Sequence, residues 1–156
     1  MLVALISAQR LQTIERLDTS NMYKKANKTV FILTNRLKES RPGIVPPQIS
    51  LDSFPCDDKL DVNQLLERYL EVTAPLRGSN TRLFVSYQLP YKLVTRQTLA
   101  RWIKKVMSSS GLNINEYTAQ SVKAATSSAA CSKNLPIEET VGWKPKRTFA
   151  NLYKKQ

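Results

Sequence analysis

The sequence predicts a mixed α/β domain, mainly α-helical, with a small antiparallel β-sheet. Two observations carry this expectation. Apolar residues recur at helical spacing in separate stretches around 2–17, 62–70, 99–107 and 117–134. Between them lie short runs with strand character, at 29–34, 48–54 and 82–87. A chain of 156 residues with 42% hydrophobic content is long enough to bury a core as one domain.

The first helix is expected over LVALISAQRLQTIERL, 2–17, where Leu2, Leu5, Ile6, Ile14 and Leu17 fall near one face. Gln9, Arg10 and Gln12 interrupt it, giving the helix a polar centre. TVFILT, 29–34, is rich in β-branched residues, and QISLDSF, 48–54, alternates apolar and polar, so the two predict a hairpin. Its connection is long and contains Pro42, Gly43, Pro46 and Pro47, which marks loop or sheet edge, with Lys38 just inside it. Val62, Leu65, Leu66, Tyr69 and Leu70 follow the i, i+3, i+4, i+7, i+8 pattern, and this helix is expected to end before Pro75 and Gly78. RLFVSY, 82–87, reads as one more strand.

Leu99, Trp102, Ile103, Val106 and Met107 form the apolar stripe of a helix capped by Thr95 and stopped by Gly111. Its other face carries Arg96, Arg101, Lys104 and Lys105. Such a face is ordinarily a solvated one, and that reading is preferred, although the same cations suit phosphate. In YTAQSVKAATSSAACSKN, 117–134, Ala and Ser dominate, so this helix can approach a neighbour closely. Gln120 and Lys123 share a face there at i, i+3. Taken alone, Lys123 is a snorkelling lysine on a packed helix.

Lys and Arg number 24 against 12 Asp and Glu, a net charge of +12 that attracts polyanions such as nucleic acid. The apolar run LVALISA, 2–8, is too short to span a bilayer and follows no basic segment, so neither a membrane anchor nor a signal peptide is expected. A soluble intracellular protein, nuclear or cytoplasmic, is the expectation. Cys56 and Cys131 stand alone without CxxC spacing, which fits reduced thiols and offers no zinc site. The chain has no histidine, which excludes Ser-His-Asp and Cys-His catalysis and a histidine-ligated metal centre. Neither GxxxxGK[ST] nor GxGxxG occurs among the four glycines. No cofactor, metal, membrane or small-molecule substrate is expected. Acid–base work falls to Lys, Tyr, Asp or Glu. The chain ends on RTFANLYKKQ, where Tyr153 either packs its ring on the body or uses its hydroxyl on an anionic substrate.

The order of these pieces resembles the catalytic domain of phage-integrase-like tyrosine recombinases, in particular those of eukaryotic tyrosine-recombinase retroelements. ISAQRLQT resembles the segment with the first catalytic arginine, which places Arg10 there. LKESRPG looks like the hairpin that carries the catalytic lysine, which places Lys38 there. PLRGSNTRLFVSYQLPYKLVTRQTLARWIKKVMSSSGL is similar to the stretch that leads to the His-x-x-Arg box. At the box itself this chain departs from the pattern, with QSVK at 120–123. GW at 142–143 stands at the His/Trp position, and TFANLY puts Tyr153 at the nucleophile.

The resemblance implies a tyrosine-recombinase catalytic fold and metal-free DNA strand cleavage and rejoining, in integration or recombination of a mobile element. It implies that Tyr153 attacks phosphorus to give a 3′-phosphotyrosyl link. Arg10 then holds the phosphate oxygens, Lys38 protonates the departing 5′ oxygen, and Trp143 donates through its indole N–H. Lysine at 123 keeps the charge of the family arginine without its bidentate fork. Glutamine at 120 hydrogen-bonds but exchanges no proton near neutral pH. The stretch from Lys123 to Trp143 is about one helical turn shorter than in the family. Activity is therefore expected to be impaired, and a catalytically dead DNA-binding remnant is the alternative. A more distant one is a basic RNA-binding or ribosome-associated protein, which lacks an RNP-type aromatic string or Gly/Arg-rich tail here.

The resemblance covers nearly all of 1–156, read as the catalytic domain alone, without the core-binding domain that precedes it in the family. The expected partners are double-stranded DNA, bound with little sequence preference and strong salt dependence, and other recombinase protomers.

Overall fold

Residues 48–52 alternate between the interior and solvent, and their pairing partners define the sheet. In the computed structural model, which describes residues 1–34 and 46–132, β2 (Lys28–Ile32) and β3 (Gln48–Asp52) run antiparallel, with Phe31 opposite Ile49 and Thr29 opposite Leu51. These are the inward-facing pairs, all buried, so a slip of one residue would turn the apolar set outward. The hairpin expected from the sequence is thus formed. A further strand, β1 (Met22–Lys25), adds to the far side of β2 with Met22 opposite Phe31. Its sequence MYKK gave no strand signal, because Lys24 and Lys25 lie exposed on an edge strand with little to bury.

The helix predicted over 2–17 is broken. It splits into α1 (Leu2–Ser7) and α2 (Leu11–Glu15), and the break is Ala8, fully buried with a left-handed backbone at φ 47°. Ser7 turns its hydroxyl back to the Val3 carbonyl and also accepts from the Gln9 N–H, so the polar centre of the segment makes a corner. A 3₁₀ turn, Thr19–Asn21, then leads into β1.

Asp61 caps α3 (Val62–Arg77), accepting from the N–H groups of Asn63 and Gln64. The Ser53 hydroxyl, and after it those amides, hold the Asp61 carboxyl below the usual carboxylate range. The helix was expected to stop before Pro75, yet it runs past it and ends at Gly78, φ 52°. Pro75 cannot donate to the Glu71 carbonyl, but both residues are exposed, so water can serve that carbonyl. Arg77 fastens the last turn, reaching Thr73 Oγ1 and the carbonyls of Arg82 and Leu83.

The strand expected at 82–87 is an extended segment without a ladder. Asp18 bridges Arg82, while Val85 bridges Leu93 on the other side, so consecutive residues never pair with one partner strand. Leu83 and Val85 are nevertheless buried, as their apolar character requires. Thr95 caps α4 (Arg96–Ser109) by accepting from the Thr98 N–H, and α5 spans Ser121–Ser132. One core joins the pieces, from Ala4, Leu11 and Ile14 through Phe31 and Leu51 to Leu66, Leu99, Ile103 and Val122. Among the described residues no helix is long and apolar enough to cross a membrane, and no group of His, Cys, Asp or Glu could hold a metal ion. The thiol of Cys56 is exposed.

Candidate functional site

The corner at Ala8 decides where Arg10 goes. Arg10 is the N-cap of α2, with extended backbone at φ −69° and ψ 146°, and its carbonyl accepts from the N–H groups of Thr13 and Ile14 at 2.8 and 3.1 Å. A residue in that position belongs to neither helix, so its side chain is free of both apolar faces. Arg10 is exposed and makes no side-chain hydrogen bond or ion pair among the described residues.

The second half of the site arrives with α5. Thr118 and Ser121 form the turn that starts this helix, with the Thr118 N–H donating to Ser121 Oγ at 3.0 Å and the Ser121 N–H to the Thr118 carbonyl at 2.9 Å. Gln120 stands exposed in that turn, and the Lys123 N–H donates to its carbonyl at 3.1 Å. The Ala and Ser residues of α5 let α1 pack directly against it. Arg10, Gln120 and Lys123 thereby line one shallow depression, floored by Ala4, Leu11, Ala119 and Val122.

Lys123 is half-buried there. Burial, and after it the positive charge of Arg10, holds its ammonium below the usual lysine range. Two cations are thus kept close together at this edge, and an anion placed between them would relieve their mutual repulsion. The ion pairs between described residues lie elsewhere, Lys24 with Glu67 at 2.7 Å and Arg68 with Glu71 at 3.4 Å, both on the surface.

Of the residues singled out in the sequence, Arg10, Gln120 and Lys123 are brought together across more than a hundred residues of chain. Lys38, Trp143 and Tyr153 lie outside the described residues. Gln9 also lines the depression. Gln9 is the polar residue directly before Arg10, and that adjacency in ISAQRLQT was the available signal. The cations of α4 are exposed, as a solvated face requires, and Arg101, Lys104 and Lys105 line a second, open trough with Gln97, Ser108 and Ile114.

No family model matches the chain, and no curated protein matches it. Solved structures do. A XerH site-specific recombinase bound to its difH substrate before cleavage superposes with a TM-score of 0.68 at 12% identity, covering 92% of this chain and 38% of that one. The post-cleavage complex of XerH with palindromic difH gives 0.69 at 13% identity, covering 96% and 40%. An FLP recombinase–Holliday junction complex gives 0.53 at 16% identity, covering 99% and 40%. The chain has the catalytic-domain fold of the tyrosine recombinases. It spans about two fifths of the length of the structures it matches.

Proposed function

We propose that this chain is a DNA strand-cleaving and rejoining domain that works through a 3′-phosphotyrosyl intermediate. The observation that carries the reading is the meeting of Arg10, Gln120 and Lys123 in one depression. Arg10 and Lys123, held beside one another in that depression, suit a phosphodiester, whose two non-bridging oxygens can be shared between the cations. In this proposal Arg10 grips those oxygens, Lys123 adds a second positive charge, and Gln120 donates a hydrogen bond through its amide. Tyr153 forms the Oη–P bond and loses its proton to solvent. Lys38 delivers a proton to the 5′ oxygen as its bond to phosphorus breaks, and Trp143 packs against the phosphate and donates through its N–H. The link stores the energy of the broken bond, so a second 5′ hydroxyl can reverse the step. The XerH and FLP neighbours are named as recombinases and appear in complexes with their DNA substrates or a Holliday junction, which supports duplex DNA as the substrate class and further protomers as partners.

A weaker form of the same reading is favoured by the two substitutions. Lys123 cannot contact two oxygens as a planar fork does, and loss of one such contact costs about 3 kcal/mol, or ~100-fold in rate. Gln120 cannot exchange a proton. Turnover is therefore expected to be slight, with phosphate binding outliving chemistry in a DNA-binding remnant of a mobile-element recombinase.

A nicked suicide duplex separates these readings on a denaturing gel. The parent chain is expected to give a trace of covalent adduct that Tyr153→Phe abolishes and that a Gln120→His, Lys123→Arg double variant raises by about 10- to 100-fold. Adduct that persists in Tyr153→Phe removes the assigned nucleophile, and robust adduct from the parent removes the remnant.

A further inference from the structure

The sequence from Glu71 to Glu116 contains no carboxylate side chain between those two residues. Within it lie Lys92, Arg96, Arg101, Lys104 and Lys105, all exposed. In the same stretch large apolar side chains also reach solvent: Tyr87 is 66% exposed, Leu89 79% and Leu93 53%. An exposed tyrosine ordinarily lays its ring flat on the body. Tyr87 instead pairs with half-buried Trp102, ring centroids 6.0 Å apart and planes 30° from parallel, which leaves much of the phenol in water.

The backbone beneath Tyr87 is fixed. Val85 bridges Leu93, the Ser86 N–H donates to the Lys92 carbonyl at 2.9 Å, and Ser86 Oγ accepts from the Gln88 N–H at 3.1 Å. A short closed loop therefore holds the ring in place, with little ordering left for a ligand to impose. On α4, Lys105 stands one turn from Trp102, and Arg101 lies one turn before Lys105 on the wall of the open trough. Two cations thus lie within one turn of Trp102 on this helix.

We propose that Tyr87 and Trp102, with Arg101 and Lys105 beside them, form a binding site for single-stranded DNA, in which one unpaired base stacks on the Tyr87 ring and the adjoining phosphates lie on the two cations. The site is separate from the Arg10 depression and does not depend on the chemistry assigned there. Duplex DNA presents base edges and hides base faces, so a phenol face gains nothing from it. A single strand offers a π-face and a phosphate at neighbouring positions, the pairing this surface can satisfy. An acidic protein segment would meet the cations but would leave the aromatic pair exposed.

The test is fluorescence anisotropy with the full chain, a labelled oligothymidine and a duplex of the same length, at two salt concentrations. Tyr87→Ala is expected to weaken single-strand binding by about 10- to 100-fold, the range of base–aromatic stacking, while duplex binding changes less than about twofold. Tyr87→Phe keeps the ring and is expected to bind the single strand as the parent does, which separates stacking from loss of fold. An Arg101→Ala, Lys105→Ala variant is expected to lower single-strand affinity and flatten its salt dependence. Equal losses on single strand and duplex in Tyr87→Ala would overturn the proposal in favour of a general phosphate surface. An unchanged single-strand affinity in Tyr87→Ala would overturn it in favour of a protein-facing patch.

Discussion

Arg77 and Arg10 carry the same guanidinium and are treated in opposite ways. Arg77 is surrounded by acceptors: Nε and Nη2 donate to Thr73 Oγ1 at 3.0 and 2.8 Å, Nη1 to the Arg82 carbonyl at 2.7 Å, and Nη2 to the Leu83 carbonyl at 2.7 Å. The Tyr69 ring lies 5.6 Å beneath it. Arg10 stands at a corner between two short helices, beside another cation. When the fold uses an arginine for itself, it supplies carbonyls to saturate the fork. Arg10 makes no such bonds among the described residues and stands beside a lysine, which is the arrangement the proposed phosphate site needs. The contrast separates a cation bonded within the fold from one that the proposed function assigns to phosphate, without reference to position in the sequence.

The sharpest way to break this contrast is to truncate each arginine in turn. Arg77→Ala strands the Arg82 and Leu83 carbonyls and is expected to cost about 3 kcal/mol, lowering Tm by roughly 6–12 °C. Arg10→Ala is expected to leave Tm within about 2 °C, since its side chain makes no hydrogen bond or ion pair among the described residues, while lowering duplex DNA affinity several-fold. Thermal melts and a binding titration on both variants check this. Equal destabilisation by the two would erase the distinction.

A smaller effect is expected at Lys123. Its ammonium is held below the usual lysine range, so the unfolded chain binds that proton more readily than the folded one. Stability therefore rises with pH across the interval between the folded and unfolded pKa values, and the penalty is fully present below the folded value. Lys123→Met is expected to flatten the rise of stability with pH below the ordinary lysine range, read from thermal melts at several pH values, and to weaken DNA binding at the same time. A variant that melts lower than the parent at neutral pH would mean that Lys123 is structural, like Arg77.

The smallest effect should come from the surface pair Lys24–Glu67, 2.7 Å apart with both side chains about half exposed. Glu67→Gln is expected to change stability by less than about 1 kcal/mol and to leave DNA binding untouched. A larger loss in low salt would place this pair with Arg77 as part of the scaffold.

The sequence made some of this architecture legible and hid the rest for identifiable reasons. Alternation in QISLDSF and β-branching in TVFILT sufficed for the β2–β3 pair, since both patterns record burial. Thr95 and the Leu99–Ile103–Met107 stripe likewise disclosed α4. The corner at Ala8 left no trace, because alanine is the strongest helix former and only its surroundings force the left-handed backbone. Pro75 misled in the other direction, since a proline on an exposed face withdraws a bond that water can replace. RLFVSY has the composition of a strand and the burial of one, but its partners change from Asp18 to Leu93 within a few residues. As for the site, the i, i+3 spacing put Gln120 and Lys123 together from local rules. Their approach to Arg10 came only from the ordered resemblance, because no periodicity relates residues so far apart.

That separation has a consequence for how the protein comes into being. The packing of α1 on α5 joins the first described helix to the last, which makes it a contact of very high contact order. The sheet, α3 and α4 involve shorter loops and can form earlier in synthesis, whereas the depression at Arg10 cannot exist until α5 has left the ribosome. In a nascent chain the depression that joins Arg10 to Gln120 and Lys123 is therefore among the last of the described features to form.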